Sequence, residues 1–250
     1  AQFSNKNALK TLHFIAANGF PPASYQQLFL LLNNFSVSSP LLRPLWRPSV
    51  KPALDSWTLF ADDIHEYVQH YQPKIVMGHS IGAVIWVLYA IKYNYEFESI
   101  IMLDPALFSW ELRVAYKVIR FFGLQQRLHP MIPRALKRQV VFSSYEEVMI
   151  QYASKSVFSQ FSQQVLSDYV YAVFAQRPEG VKLQYSPEWE ALIYEYGMLD
   201  DARLWRGLAL LNTEILLLRG GQSDVCTLRI EKRLRKVCRR FDSCTIEKAG

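Results

Sequence analysis

The residues best placed to do chemistry are Gly78-His79-Ser80-Ile81-Gly82. A serine with a glycine two residues away on each side is the pattern of a hydroxyl raised on a sharp strand-to-helix turn. The reason is steric. The backbone at the serine must be strained, and the positions two before and two after it approach closely, where side chains would clash. The chemistry such a turn serves is acyl transfer. The hydroxyl attacks a carbonyl carbon once a base removes its proton. The same five residues also suit an ordinary glycine-containing turn, and the flanks decide between the two.

Those flanks favour the nucleophile. Ile75-Val76-Met77 reads as a buried strand, and Ala83 through Tyr93 as an apolar helix. A helix starting at Ser80 aims backbone N–H groups at charge gathering above it. Elsewhere the same alternation recurs. Strands are expected over Ala8–Ile15, Phe35–Ser39, Glu98–Asp104, Glu214–Arg219 and Ser243–Glu247. Helices are expected over Ala23–Leu32 and from Asp55 or Ser56, as N-cap, to about Tyr71. The segment after Asp224 is a further helix. The loop from Pro40 to Pro52 is rich in Pro and Arg. Between Asp104 and Glu214 the chain is aromatic, basic and helical, with no clear buried-strand run. Strands alternating with helices predict a mostly parallel, doubly wound sheet of the α/β class. Ligands in such sheets bind at the carboxyl ends of the strands, where Ser80 falls.

The chain has 250 residues, half of them hydrophobic, which suits one large α/β domain carrying an insertion. No apolar run approaches the ~20 residues needed to span a bilayer. The first residues, Ala1 to Asn7, are mostly polar and are no signal peptide, and they lack an initiator Met. The 3 cysteines (Cys226, Cys238, Cys244) are odd in number and show no metal-ligand spacing. They read as reduced thiols of a cytoplasmic protein. No metal and no cofactor is expected. The net charge of +6 permits attraction to anionic lipid or acidic substrate without requiring either.

The sequence resembles the α/β-hydrolase superfamily in its capped serine-hydrolase branch, over nearly its whole length. The resemblance rests on His13-Phe14-Ile15-Ala16-Ala17-Asn18-Gly19-Phe20-Pro21, Leu42-Arg43-Pro44-Leu45-Trp46, Gly78-His79-Ser80-Ile81-Gly82, Leu103-Asp104-Pro105 and Leu218-Arg219-Gly220-Gly221-Gln222-Ser223-Asp224. It implies an α/β-hydrolase core of residues 1–108 and 206–250. A helical cap of residues 109–205 is inserted after the strand ending near Asp104.

The resemblance also distributes roles. Ser80 is the nucleophile. The backbone N–H of Ile81, the residue after it, is one oxyanion donor. The other comes from the Asn18-Gly19-Phe20 loop, with the Phe20 N–H favoured and Asn18 the fallback. Many relatives carry a histidine where this chain has Ala16 or Ala17, and Asn18-Gly19 also suits a plain turn. Asp224 is the acid that orients the base. It competes with a helix N-cap reading of the same residue, and Asp104 ranks second as acid. The superfamily places its catalytic histidine after the last strand. Here that strand is followed only by Glu247-Lys248-Ala249-Gly250, so the histidine is expected just after Gly250 and the sequence reads as truncated. His79 faces away from the hydroxyl, His13 reads as core, His65 and His70 as surface, and His129 lies in the cap.

Phe20, His79, Phe158 and Phe161 are expected to touch substrate, within an apolar cap lining that also draws on Trp110, Tyr116 and Tyr169. That lining favours a small-molecule hydrophobic acyl or aromatic ester. Thioester or C–C bond hydrolysis on the same fold is the alternative, as is a non-catalytic binding relative if no histidine follows Gly250. Arg113, Lys117, Arg120, Arg127, Arg134, Lys137 and Arg138 interleave with apolar residues. They suit a solvated helix face or a peripheral membrane contact. A second basic run, Arg229 to Arg240, reads as the exposed face of the helix after Asp224. Nucleic-acid binding has no support from the fold.

Overall fold

A computed structural model of the chain describes residues 2–3, 10–46 and 53–250. Its main sheet contains β1 (Gln2–Phe3), β2 (Lys10–Ile15), β3 (Phe35–Ser38), β4 (Ile75–His79) and β5 (Ser99–Leu103). A second, small sheet holds β6 (Val141–Phe142), β7 (Phe174–Arg177) and β8 (Gly180–Leu183). The main sheet is completed by β9 (Glu214–Gly220) and β10 (Phe241–Ile246).

The main sheet is 7-stranded, in the order β1-β3-β2-β4-β5-β9-β10. All neighbours pair in parallel except β1, which runs antiparallel to β3. The strands are apolar because both faces are covered. Leu12, Phe14, Val37 and Met77 pack with Phe29 on one side. Val76, Ile100, Ile215 and Leu217 pack with the helix Ile81–Tyr93 on the other. That helix is buried from Ile81 through Ala90, which explains why its sequence is apolar all round. It is covered in turn by the helices Thr58–Asp63 and Asp201–Leu208.

The expected elements stand, with local differences. The helix expected to run unbroken to Tyr71 is two helices, Thr58–Asp63 and His65–Tyr71, broken at Ile64. The N-cap of the first is Trp57, one residue past the expected Ser56, whose hydroxyl accepts from the Thr58 N–H at 3.0 Å. The segment expected as a helix from Ala23 opens as a 3₁₀ turn, Pro22–Tyr25, before the α-helix Gln26–Leu31. Arg43–Trp46 forms a helical turn inside the expected loop. The readings that fall on Ala8 and on residues 47–52 lie outside the described residues.

The insertion between β5 and β9 corrects one expectation. It is not wholly helical, because β6, β8 and β7 form a 3-stranded antiparallel sheet within it. These strands are two to four residues long and carry Gln176, Arg177 and Lys182, so they leave no apolar run to read. Tyr152, Phe158, Tyr169 and Phe174 form a separate apolar cluster over them. The end of the insertion belongs with the sheet: Trp189, Ile193, Leu204 and Trp205 pack into the same cluster as the helix Ile81–Tyr93. No described helix is long and apolar enough to cross a membrane.

Candidate active site

The turn at Ser80 has the geometry its glycines predict. Ser80 holds φ 53° and ψ −117°, a conformation in which side chains are rare. It lies between the end of β4 and the first turn of the helix Ile81–Tyr93. Its N–H donates to the Leu103 carbonyl at 2.9 Å, tying the turn to β5. A Cβ at Gly78 would sit 2.3 Å from the Ala83 nitrogen, and one at Gly82 2.1 Å from the Ile15 carbonyl oxygen. The second contact is with the end of β2, whose following loop passes beside the serine. Ile81 begins the helix, so its N–H has no intrahelical acceptor.

The Ala17–Phe20 loop is held from below and above. From below, the Tyr25 hydroxyl accepts from the Ala17 N–H at 3.1 Å and lies 2.7 Å from the His79 Nδ1. The His79 ring thus faces Tyr25. Burial pushes its pKa down, with Asp104 acting weakly the other way, so the ring is neutral. From above, the Asn18 amide donates to the Glu190 carbonyl at 3.0 Å and accepts from the Tyr185 hydroxyl at 2.9 Å. The Asn18 side chain is thus committed to the insertion. The Phe20 N–H donates to the Ala17 carbonyl at 3.1 Å and closes the turn in this state. A narrow cavity of about 20 Å³ lies between this loop and Ile81, bordered by Ala16, Asn18, Phe20 and Tyr185. It has room for one water-sized group.

Behind the same loop stands an ion pair that the sequence reading placed on a surface face. Arg138 donates to the Glu190 carboxylate and, at 3.1 Å each, to the hydroxyls of Tyr152 and Tyr169. Both charged side chains are almost wholly buried, at 10% and 11% exposed. Arg113 and Arg120 also turn inward, toward Asp201 and Glu195, whereas Lys117, Arg127, Arg134 and Lys137 face water. In the second basic run Arg233 is half-buried over the Trp205 ring, 3.9 Å from its centre, and the rest is largely exposed.

The two candidate acids differ in what they do. Asp104 ends β5 in the left-handed region, at φ 42°. Its carboxylate accepts from the Gly220 N–H at 3.1 Å and from the Ser223 hydroxyl at 2.6 Å, so it fastens the loop after β9. Ser223 in turn accepts from the Val225 and Cys226 N–H groups. Asp224, carried on that loop, is exposed. The residues after β10 fold over the loop, and the Gln222 N–H donates to the Ala249 carbonyl at 2.8 Å.

None of the 5 histidines bonds to Ser80. His13 is buried, 2.7 Å from the Tyr67 hydroxyl. His65 stacks on Tyr93, His70 is exposed, and His129 is held between Tyr116 and Tyr194. Of the residues expected to touch substrate, Phe20 meets the insertion through Tyr169, with ring centres 4.8 Å apart, and Phe158 at 6.4 Å. Phe158 packs mainly within the Tyr152–Tyr169–Phe161 cluster. Sequence reasoning did not single out Tyr25, Arg138 with Glu190, or Ser223. Among the described residues no cluster of metal-ligating side chains occurs.

Comparison with known proteins bears on the fold. The family model described as serine aminopeptidase, S33 matches residues 49–171, which include the Ser80 turn. An E-2-(acetamidomethylene)succinate hydrolase superposes with a TM-score of 0.72 at 17% identity, over 97% of this chain and 85% of that one. An esterase of M. tuberculosis superposes at 0.71 and 16% identity, over 98% and 79%. A thioesterase domain from the curacin biosynthetic pathway does so at 0.70 and 15% identity, over 100% and 87%. Among curated proteins no match is found. At such identities the solved structures establish a common fold.

Proposed function

We propose that this chain, which belongs to the α/β-hydrolase superfamily, is a serine hydrolase that cleaves a hydrophobic acyl or aromatic carboxylic ester through an acyl-enzyme on Ser80. The observation that carries the reading is the Ser80 turn: a hydroxyl on strained backbone, at the carboxyl end of β4 and over a helix N-terminus. Strain of this kind survives only where the surrounding structure enforces it, and here two glycine contacts enforce it.

In the proposed reaction the Ser80 Oγ attacks the ester carbonyl while a base takes its proton. The oxyanion is received by the Ile81 N–H and by the Phe20 N–H, the latter exchanging its bond to Ala17 for one to the substrate oxygen. The alcohol leaves with the proton, and water then releases the acid by the same steps. Asp224 orients the base. The Gln222–Ala249 bond folds the residues after β10 over the loop that carries Asp224. Phe20, His79, Phe158 and Phe161 line the acyl side. The apolar character of the three phenylalanines supports a hydrophobic substrate.

A fluorophosphonate probe tests the reading. Labelling of wild type and none of Ser80→Ala is expected. An unlabelled wild type refutes it. A panel of p-nitrophenyl esters and acyl-CoA thioesters then addresses the leaving group. Turnover of thioesters with none of esters moves the reaction to the thioester class.

A further inference from the structure

The helix Trp110–Phe121 is built inside out. Two of its arginines point inward: Arg113 lies 3.0 Å from Asp201, and Arg120 sits 4.5 Å over the Tyr196 ring beside Glu195. Tyr116 is buried and donates to the Glu195 carbonyl at 2.7 Å. The opposite face carries Trp110, Val114, Val118 and Phe121, spaced as one stripe along the helix. They are 57%, 49%, 52% and 84% exposed, and the adjoining Phe122 is 66% exposed. A surface helix ordinarily does the reverse, since its apolar stripe is what holds it to the core. Here ion pairs and a tyrosine do the holding, and a contiguous apolar face is left to water. Such patches mark contact sites.

The surrounding charge says what kind of surface would cover it. Glu111 is the sole acid between Trp110 and Arg138, and it is paired with Arg229. Lys117 and Arg127 are exposed on this segment. Lys232 and Lys236 line the far wall of a groove of about 490 Å³ that Trp110 borders. We propose that this face docks the protein on an anionic lipid bilayer. Phe121 and Phe122 enter the acyl boundary, Trp110 lies at headgroup level, and the basic rim meets the lipid phosphates. A second copy of the chain fits less well, because a twofold contact would set the same lysines and arginines against themselves. The attachment is peripheral, since no described helix can span a membrane.

Co-sedimentation with vesicles tests this independently of catalysis. Wild type should sediment with phosphatidylcholine vesicles containing about 30% phosphatidylglycerol, and bind several-fold less with phosphatidylcholine alone or in about 0.5 M salt. Phe121→Ser with Phe122→Ser should lower binding about tenfold or more. Both residues are largely exposed, so the thermal melt of that variant should match wild type. Lys117→Glu with Arg127→Glu should abolish the preference for anionic lipid. Equal sedimentation of wild type and the serine variant overturns the proposal. So does a concentration-dependent dimer that the serine variant dissolves, which would make the face a self-association surface. A failed probe experiment at Ser80 would leave this result untouched, because the readout is binding.

Discussion

The Ser80 N–H donates to the Leu103 carbonyl at 2.9 Å, and the residue after Leu103, Asp104, grips the Gly220 N–H at 3.1 Å. The Ser80 turn, the end of β5 and the loop bearing Asp224 are thus joined by two short links. The strained serine and the candidate acid are positioned by the same strand end.

The glycine contacts make a stability prediction. In Gly82→Ala the new methyl would lie 2.1 Å from the Ile15 carbonyl oxygen, which is backbone and cannot turn aside. Overpacking of this kind costs about 1–3 kcal/mol or more. The melting temperature should fall by roughly 5–10 °C for a chain of this size, with activity lost as the Ala17–Phe20 loop is pushed away. A variant that melts with wild type would show that the two segments are not in contact.

Tyr25 couples the loop to the elbow. Tyr25→Phe removes both the acceptor for the Ala17 N–H and the hydrogen-bond partner of His79 Nδ1. Leaving two buried polar groups unpaired should cost about 1–3 kcal/mol. Because the loop carries the Phe20 N–H, kcat should fall by about tenfold while KM changes little. Equal losses in stability and none in kcat would reduce Tyr25 to a packing residue.

Arg138 and Glu190 form a buried pair behind the same loop. Removing one partner strands the other charge, so Arg138→Met or Glu190→Leu should each cost about 3–5 kcal/mol. The double variant should recover much of that, with a coupling of about 2 kcal/mol in denaturant unfolding. Strict additivity would mean that the pair contributes no mutual interaction.

Acid stability should reflect two buried groups of opposite sign. Burial lowers the His13 pKa to about 4, below its ordinary 6.5. The unfolded chain then binds the proton first, so this contribution is complete above about pH 6.5 and is lost as pH falls toward 4. At most it amounts to about 3 kcal/mol. Burial raises Asp201 to about 6 from 3.8, against the opposing pull of the Phe108 N–H and Arg113. Its pair with Arg113 is 3.0 Å long but poorly aligned, which leaves burial dominant. Here the folded state keeps the proton longer, so stability falls as pH rises from about 4 to 6. His13→Gln should flatten the acid limb of a stability–pH curve, and Asp201→Asn should steepen it. Parallel curves for all three proteins would show that neither group titrates differently on folding.

What the sequence determined by itself was local. The two glycines around Ser80, the apolar strand before it and the apolar helix after it required the nucleophile turn. Period and length placed most of the main-sheet strands within a residue or two. The order of Asn18-Gly19-Phe20, Ser80 and Asp224 along the chain came instead from the resemblance to α/β-hydrolases. The tertiary structure decided whatever depends on partners distant in sequence. Arg138 reads as one more basic residue on a helix face until Glu190, 52 positions on, meets it in the interior. Asp104 and Asp224 both follow strands, and only the packing of β5 beside β9 turns the first inward to Gly220 and Ser223. The small strands β6 to β8 carry no pattern because they are too short and too polar to show one. The helix Trp110–Phe121 has ordinary amphipathic spacing. Which of its faces looks inward was settled by Asp201 and Glu195, charged partners that outbid the apolar stripe for the interior.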